Sequence, residues 1–370
     1  MKFQSVNKKS PAVGFREALF QGIAPDGGLY VPETLPHCDL SFFDPTAKST
    51  LHSIGTHILS LFIDEIPAKD LAAIVTMAWN FPVPLVKSDD NLYLLELFHG
   101  PTLAFKDIGA RFMAHAMSYF LEQEQQELTV LVATSGDTGS AVANGFFNVP
   151  HIKVLIFYPA GKITSLQQQQ MTTLGGNITA VEVEGTFDDC QRLVKSALAD
   201  HSFNNLTTAN SINLGRLLPQ ITYYAWALAQ LRKEQNEQPF IVVPSGNFGN
   251  LTAAVYAKWM GTPIRSFVAA TNANDGVLEY LHSGKFTPRP GIQTYSNAMD
   301  VGNPSNLARL QFLYGDNVQT LRNDIDAVSI SDNETIQEIQ SFYAKAKYIL
   351  DPHTAVGVAE EPVAPLPFAG

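Results

Sequence analysis

Residues 128–147 read LTVLVATSGDTGSAVANGFF, and they join a strand pattern to a helix pattern through a turn rich in glycine and hydroxyl groups. The run at 128–133 has the apolar, β-branched character of a strand that is covered on both faces. TSGDTG interrupts that run, and the residues after it continue as a helix. Recurrence of this unit along the chain would predict a parallel sheet.

The same rhythm of strand, turn and helix does recur downstream. Further apolar runs that precede turns and helical patterns are KVLIFYP (153–159), ITAVEVEG (178–185), FIVVP (240–244) and IRSFVAA (264–270). Strands that alternate with helices indicate βα units and a mostly parallel sheet with helices on both faces. The sequence therefore predicts an α/β fold.

The first ninety residues have a different pattern, with the turn-rich PDGGLYVPETLP (25–36) and a helical stretch near Ile54 to Ile63. The polar segment RKEQNEQ (232–238) is either a helix end or a boundary between lobes. We expect an N-terminal accessory region at 1–90, α/β lobes at 91–235 and 236–358, and a proline-rich tail at 359–370.

Composition excludes several classes of protein. Of the 370 residues, 45% are hydrophobic and 16% are charged, which is typical of a globular protein and not of a disordered one. No apolar run is long enough to span a membrane, and the first residues lack a secretory signal. A net charge of −11 without a basic cluster argues against nucleic-acid binding. The two cysteines, Cys38 and Cys190, do not have the spacing of a metal site, so we expect no bound metal. Two isolated cysteines in a chain of this length favour a reducing, cytoplasmic location.

The segment VVPSGNFGN places Ser245–Asn250 between the FIVVP strand and a helix that begins near Leu251. Glycines let the backbone approach an anion closely, and the N–H groups at a helix start point toward it. The pattern therefore favours a phosphate cradle, although it matches neither a Walker A motif nor GxGxxG. A tight strand-to-helix turn without a ligand is the alternative.

Two other loops carry anion-binding groups. In ATSGDTGSA (133–141), Ser135, Thr138 and loop N–H groups could hold a carboxylate, while Asp137 could instead cap the helix. ANSINLGR (209–216) offers amides, a hydroxyl and a guanidinium, which suit phosphate oxygens. Its alternative role is to cap the helix that begins near Gly215.

The stretch FHGPTLAFKD (98–107) places Lys106 behind Leu103 and Phe105, which could keep it dry. Burial disfavours the ammonium form of lysine, and a neutral amine can attack a carbonyl to form a Schiff base. A lysine that extends its amine into solvent from a helix start is the alternative. A Schiff-base lysine together with a phosphate cradle is what pyridoxal phosphate requires.

Several long stretches resemble the threonine synthases of the bacterial and fungal branch. They are DGGLYVPETLP, LFHGPTLAFKDIGARFMA, TSGDTGSAVA, ANSINLGRLLPQITYY, VPSGNFGNLTA, AATNANDGV and SNAMDVGNPSN. The resemblance implies a fold type II pyridoxal-phosphate enzyme, similar to the tryptophan synthase β subunit, with two open, mostly parallel twisted-sheet lobes. It also implies a lyase of threonine biosynthesis that converts O-phospho-L-homoserine and water to L-threonine and phosphate.

The resemblance also implies roles for individual residues. Lys106 would form the Schiff base, and Asp137 would stand beside the 3′-oxygen of the cofactor, where many fold-type relatives have Asn. The resemblance implies that the cofactor phosphate is bound by Ser245, Gly246, Asn247, Phe248, Gly249 and Asn250. It implies that the substrate carboxylate is bound by Thr134, Ser135 and Thr138, and the substrate phosphate by Asn210, Ser211, Arg216 and Asn247. His99 has two alternative roles: a structural one, as a hydrogen-bonded loop residue, and a catalytic one, as an acid or base.

The family pattern continues past DPHTAVG with a last strand and a Gly-Thr-Ala-His-Pro stretch whose threonine meets the pyridine nitrogen. The residues after Val358 do not match it, so we expect the family's C-terminal segment to be missing. Two alternatives to a synthase stay open: a phospho-lyase that releases 2-oxobutyrate, and a non-catalytic paralogue that binds pyridoxal phosphate. We expect a monomer or weak homo-oligomer.

Overall fold

A computed structural model describes residues 1–39, 41, 44, 47–89, 91–200, 205–232 and 238–359. Residues 233–237 of the polar segment and 360–370 of the expected tail lie outside the described residues. The described chain forms two compact units. Unit 1 comprises the described residues of Met1–Val86, Leu94–Gln235 and Trp259–Gly261, and unit 2 those of Lys87–Tyr93, Asn236–Lys258 and Thr262–Gly370.

Unit 1 begins with short strands and three helices. Strand β1 (Phe3–Ser5) pairs antiparallel with β2 (Tyr30–Pro32). The helices are α1 (Phe15–Gln21), α2 (Leu51–Ser60) and α3 (Ala68–Ala78). Strands β3 (Leu85–Lys87) and β4 (Tyr93–Leu95) form a separate two-stranded sheet. The helix predicted near Ile54 to Ile63 is thus present as α2, displaced toward its N-terminus.

A four-stranded parallel sheet forms the centre of unit 1. Its strands are β5 (Leu128–Ala133), β6 (Ile152–Pro159), β7 (Ile178–Val183) and β8 (Leu206–Thr208), in the spatial order β7-β6-β5-β8. The helices of this region are α4 (Lys106–Glu124), α5 (Asp137–Gly145), α6 (Ser165–Thr172), α7 (Phe187–Ala199) and α8 (Leu214–Leu231). The predicted parallel pairing is confirmed, since Leu128 pairs with Ile152 and Thr129 with Leu206. The sequence pattern did not predict β8, which has only three residues.

Unit 2 contains a three-stranded parallel sheet. Its strands are β9 (Phe240–Pro244), β10 (Ser266–Thr271) and β11 (Ile325–Ser329), in the order β11-β10-β9. Its helical segments are α9 (Gly249–Trp259), α10 (Gly276–Ser283), a 3₁₀ turn (Asn297–Met299), α11 (Leu307–Leu313), α12 (Val318–Arg322), α13 (Asp332–Ala346) and α14 (Pro352–Val358). The predicted α/β class is therefore confirmed in both units.

The helical core of unit 1 is built around Trp79, which is fully buried. Its indole Nε1 donates a hydrogen bond to the carbonyl of Ile108 at 3.0 Å, which satisfies the polar end of the ring. Gly55 of α2 faces the ring, and a Cβ at this position would lie 2.2 Å from Trp79 Cζ3. Only glycine permits this approach, so α2 tolerates a poor helix former at its centre.

None of the helices in the described part of the chain has the length and apolar character that a membrane crossing requires. Over the same residues, no cluster of three or more His, Cys, Asp or Glu side chains could hold a metal ion.

We predict that Gly55→Ala lowers the free energy of unfolding, although alanine favours helix by about 1 kcal/mol. Overpacking of a rigid core costs about 1–3 kcal/mol, which outweighs that gain. Chemical unfolding midpoints measure the difference. The control is Gly276→Ala at the start of α10, where a Cβ would meet nothing closer than Phe286 at 3.4 Å. An increased midpoint for Gly55→Ala would contradict the packing argument.

Candidate active site

Lys106 is the first residue of α4 and follows a turn that begins at Gly100. In this turn the Leu103 N–H donates to the Gly100 carbonyl at 3.1 Å, and Leu103 has a left-handed φ of 59°. The Lys106 side chain is only 14% exposed, and its Nζ lies 5.7 Å from the centre of the Phe105 ring. Leu103 is 66% exposed, so the expectation that it shields the amine is wrong.

A buried carboxylate fixes the turn that carries Lys106. Asp107 is fully buried, and it accepts hydrogen bonds from the Thr102 N–H at 2.9 Å and the Thr102 hydroxyl at 2.6 Å. Burial raises the pKa of Asp107, and the two hydrogen bonds from Thr102 oppose that shift. A Cβ on Gly100 would lie 2.4 Å from Asp107 Oδ2, so this position requires glycine.

Asp137 forms the ion pair of Lys106, with 3.3 Å between Asp137 Oδ2 and Lys106 Nζ. The alternative that Asp137 caps its helix is wrong, because Gly136 is the N-cap residue and Asp137 is the first residue of α5. The second oxygen of Asp137 accepts a hydrogen bond from Gln167 Nε2 at 2.7 Å. Sequence reasoning missed Gln167, although its spacing from Thr164 is the signature of a capping box.

The loop between β5 and α5 is shaped by Thr134, which is 1% exposed. The Thr134 hydroxyl accepts hydrogen bonds from the N–H groups of Gly136 at 2.9 Å and Gly139 at 2.8 Å. Ser135 and Thr138 are partly exposed in the same loop. The structure therefore places Ser135 and Thr138 where a ligand could reach them, and Thr134 beneath them.

The loop after β8 is tied to the end of β5. The Asn210 side chain makes two hydrogen bonds to the backbone of Ala133, donating to its carbonyl at 2.7 Å and accepting from its N–H at 3.2 Å. This pairing brings the TSGDTG and ANSINLGR loops together at the carboxyl edge of the sheet, where ligands bind in open α/β folds. Asn213, the second amide side chain of ANSINLGR, is the N-cap of α8, and its side-chain oxygen accepts a hydrogen bond from the Gly215 N–H at 2.8 Å.

Arg216 lies in the first turn of α8 and is 3% exposed. Its NH1 group donates to the carbonyl of Ala209 at 2.6 Å. Nε of Arg216 is buried without a hydrogen-bond partner among the described residues. Burial lowers the pKa of Arg216 to about 10, while the negative charge of Asp107 acts in the opposite direction. Ser211, which lies between Ala209 and Arg216 in the same loop, is partly exposed.

In unit 2, the predicted phosphate loop connects β9 to α9. Phe248 has a left-handed φ of 60° and is buried, so the loop makes a sharp turn before the helix begins at Gly249. Gly246 packs against the backbone, since a Cβ there would lie 2.6 Å from Met299 Cα. The N–H groups of the first turn of α9 have no partners within the helix, which is the property that suits a phosphate.

Two further residues of unit 2, missed by sequence reasoning, fix that loop. Asn306 is fully buried, and its Nδ2 donates to the backbone carbonyl of Asn247 at 3.0 Å. The Ser305 N–H donates to the Asn247 side-chain oxygen at 2.6 Å. Buried Arg309 donates in turn to Asn306 Oδ1 at 2.6 Å. Ser305 and Asn306 both lie at the end of the SNAMDVGNPSN stretch, which the sequence analysis had singled out. The residue pattern of that stretch does not show that it binds the backbone at Asn247.

His99 pairs with Glu96, with 2.6 Å between His99 Nε2 and Glu96 Oε2, and its ring stacks against Phe98 at 4.7 Å. This hydrogen bond is the structural contact that His99 makes in its loop.

Each unit by itself supplies a part of the donor set that pyridoxal phosphate needs. Unit 1 offers an amine for the aldehyde, held 3.3 Å from a carboxylate. Unit 2 offers a glycine-containing turn from a parallel strand into a helix start, which suits the phosphate. This combination on parallel α/β sheets is typical of enzymes that use an amine to hold an aldehyde cofactor.

Comparison with known proteins narrows this class. Residues 79–360 match the family of pyridoxal-phosphate dependent enzymes, and residues 2–79 match the threonine synthase N terminus. The chain belongs to the threonine synthases, a family of pyridoxal-phosphate dependent enzymes.

Individual relatives support this assignment. Threonine synthase of Haemophilus influenzae is 44% identical over 96% of this chain and 83% of that relative. The crystal structure of threonine synthase from Escherichia coli matches with a TM-score of 0.90 and 42% identity, over 97% of this chain and 84% of that one. A pyridoxal-phosphate-bound threonine synthase from Brucella melitensis matches with a TM-score of 0.91 and 36% identity, over 97% of this chain and 84% of that one.

We predict that Thr102→Val lowers the free energy of unfolding by about 2 kcal/mol, because the charged Asp107 loses a buried donor. Loss of that donor raises the pKa of Asp107 further. The cost is therefore largest above this pKa, and it shrinks as the pH falls through it and the carboxylate is protonated.

Unfolding midpoints measured between about pH 4 and pH 8 provide the check. Thr102→Ser keeps the hydroxyl and serves as the matched control. A Thr102→Val penalty that does not change with pH would contradict the hydrogen bond to a charged Asp107.

Proposed function

We propose that the protein converts O-phospho-L-homoserine and water to L-threonine and inorganic phosphate. The observation that carries this proposal is the part-buried Lys106 amine, held 3.3 Å from Asp137 in a chain that is 44% identical to a threonine synthase. The reaction removes a γ-phosphate and adds water at the β-carbon, so it requires a base that can serve several carbon atoms in turn.

Bound pyridoxal phosphate supplies an electron sink that stabilises negative charge on the substrate carbons. Lys106 removes the proton from the α-carbon and moves protons at the neighbouring carbons. Its flexible stem lets one amine reach these positions, while the turn anchored by Asp107 keeps its Cα fixed. Asp137 offers a fixed countercharge to the protonated amine between transfers.

The substrate carboxylate is assigned to the loop after β5. Ser135 and Thr138 are partly exposed there, and the loop N–H groups add further donors. Thr134 supports these residues through its hydrogen bonds to Gly136 and Gly139. The pairing of Asn210 with Ala133 orders the edge of the sheet on which this loop stands.

The substrate phosphate is assigned to Asn210, Ser211 and Arg216 of unit 1. Arg216 supplies a permanent positive charge, and its Nε is a buried donor without a partner among the described residues. A low-dielectric setting strengthens its attraction for a departing dianion. A purely structural, buried arginine beside Asp107 is the alternative role.

The loop Ser245, Gly246, Asn247, Phe248, Gly249 and Asn250 is assigned to the cofactor phosphate. The Asn306 and Ser305 contacts to Asn247 hold this loop in one conformation, so little ordering is required when an anion binds.

We also propose that the protein works in the cytoplasm, as a monomer or weak homo-oligomer. Cys38 and Cys190 are free and buried, and burial raises the pKa of each thiol to about 11. Thiols of this kind resist oxidation and suit a reducing compartment.

We predict that Lys106→Ala loses the visible absorbance of bound cofactor and releases no phosphate from O-phospho-L-homoserine, because the variant lacks the amine assigned to the Schiff base. Spectrophotometry with pyridoxal phosphate and a phosphate assay measure the two effects. Lys153→Ala, which removes an exposed lysine paired with Glu127, serves as the control. Retention of a borohydride-sensitive absorbance band by Lys106→Ala would remove the assignment. Product analysis of the wild type separates threonine from 2-oxobutyrate.

We predict that Arg216→Lys lowers kcat/KM for O-phospho-L-homoserine roughly ten- to hundredfold, the expected effect of losing a charge-assisted hydrogen bond. The visible absorbance of bound cofactor should stay unchanged. Steady-state kinetics measure the change in kcat/KM, and the unfolding midpoint shows whether the variant is also less stable.

Arg111→Lys is the control for packing, since Arg111 is another arginine of unit 1 that donates to a backbone carbonyl, that of Ala78 at 2.6 Å. Equal losses of activity in the two variants would show that Arg216 has only a structural role.

A further inference from the structure

We propose that Gln167 is a positioning residue for the reaction, which orients the Asp137 carboxylate so that one oxygen faces Lys106. The inference rests on the proposed function, because it assigns Lys106 and Asp137 to the chemistry. Gln167 lies in α6, thirty residues from Asp137 along the chain. Nothing in the motif that contains Asp137 indicates this partner.

The two oxygens of Asp137 have different partners. Gln167 Nε2 donates to Oδ1 at 2.7 Å, and Lys106 Nζ lies 3.3 Å from Oδ2. A carboxylate held at one oxygen by a neutral donor cannot rotate without losing that hydrogen bond. Gln167 therefore sets the direction from which Asp137 meets the amine. As a neutral donor, it also stabilises the charged form of Asp137 without adding charge beside Lys106.

The amide of Gln167 has a defined orientation. Its Oε1 accepts hydrogen bonds from the backbone N–H of Thr164 and from the Thr164 hydroxyl, both at 3.1 Å. Since the backbone N–H can only donate, Oε1 must face Thr164, and Nε2 must therefore face Asp137. The same side chain thus completes the capping box of α6 and serves Asp137.

The fold keeps Gln167 close to Asp137. Gln167 is 9% exposed, and the Ser140 hydroxyl of α5 donates to its backbone carbonyl at 3.4 Å. Gly136, the residue before Asp137, has a φ of 134°, and a Cβ there would lie 2.3 Å from Gln167 Cδ. Only glycine allows the amide to reach the carboxylate at this point.

The capping box by itself does not explain the choice of glutamine. Glutamate serves equally well at this position of a capping box, as Glu334 does in α13. Glutamate would meet Asp137 with an acceptor in place of a donor. The contact with Asp137 therefore requires glutamine at this position. The exchange Gln167→Glu keeps the helix cap but replaces the donor to Asp137 with an acceptor.

The test measures the dissociation constant of pyridoxal phosphate by equilibrium dialysis, for wild type and Gln167→Glu, at about pH 5.5 and about pH 8. Two neighbouring carboxylates share a proton at low pH, which restores a donor, and repel each other when both are ionised. We expect Gln167→Glu to bind the cofactor about tenfold more weakly than wild type at about pH 8, and nearly as tightly at about pH 5.5.

Controls separate this effect from a folding defect. Glu334→Gln makes the reverse exchange in the capping box of α13 and should leave the dissociation constant unchanged at both pH values. The double variant Gln167→Glu, Asp137→Asn removes the repulsion, so the penalty of Gln167→Glu should disappear when it is measured relative to Asp137→Asn alone. That comparison holds even if the single variant is unstable.

Equal binding by wild type and Gln167→Glu at about pH 8 would overturn the inference, as would a penalty that is the same at both pH values. Persistence of the penalty in the Asp137→Asn background would overturn it too. If the wild type itself neither binds pyridoxal phosphate nor releases phosphate from O-phospho-L-homoserine, the proposed function fails first, and the inference fails with it.

Discussion

The ion pair between Lys106 and Asp137 is the interaction on which the account of the site depends. An amine that is 14% exposed has lost most of its contact with water, so its charged form needs a fixed countercharge. In the proposed reaction, the same amine must also leave that partner and serve as a base. A separation of 3.3 Å with a single partner oxygen meets both needs better than a bidentate pair would.

The elements around this pair keep its two members in place. On one side, the buried Asp107 fixes the turn that begins at Gly100 and leads into α4. On the other, Thr134 and Gln167 hold the first residues of α5. These supports use buried or partly buried hydrogen bonds. Removing one member of such a bond costs free energy, so together the bonds favour a single conformation. Unit 2 shows the same arrangement, where Asn306 holds the predicted phosphate loop at Asn247.

The sequence predicted β5, β6, β7, β9 and β10 because each is a short, apolar, β-branched run next to a turn, and β5 and β9 occupy their predicted ranges. It also predicted the loops that carry the candidate site, since loops at the carboxyl ends of parallel strands hold ligands. It did not predict β11 (Ile325–Ser329). Strand β8 was missed because three residues show no periodicity. Gln167 and Asn306 were missed for a different reason: each acts on a residue far away in sequence, and tertiary packing alone brings them together.

The exposed side chain of Leu103 shows where sequence reasoning misled. An apolar residue before a lysine suggested shielding, but the left-handed turn directs Leu103 outward, and the ring of Phe105 remains near the amine.

Borohydride reduction of the protein loaded with pyridoxal phosphate, followed by proteolysis and mass spectrometry, tests most directly whether Lys106 forms the Schiff base. We expect the reduced cofactor to be attached to the peptide that contains Lys106. Attachment to a different lysine, or to none, would contradict it.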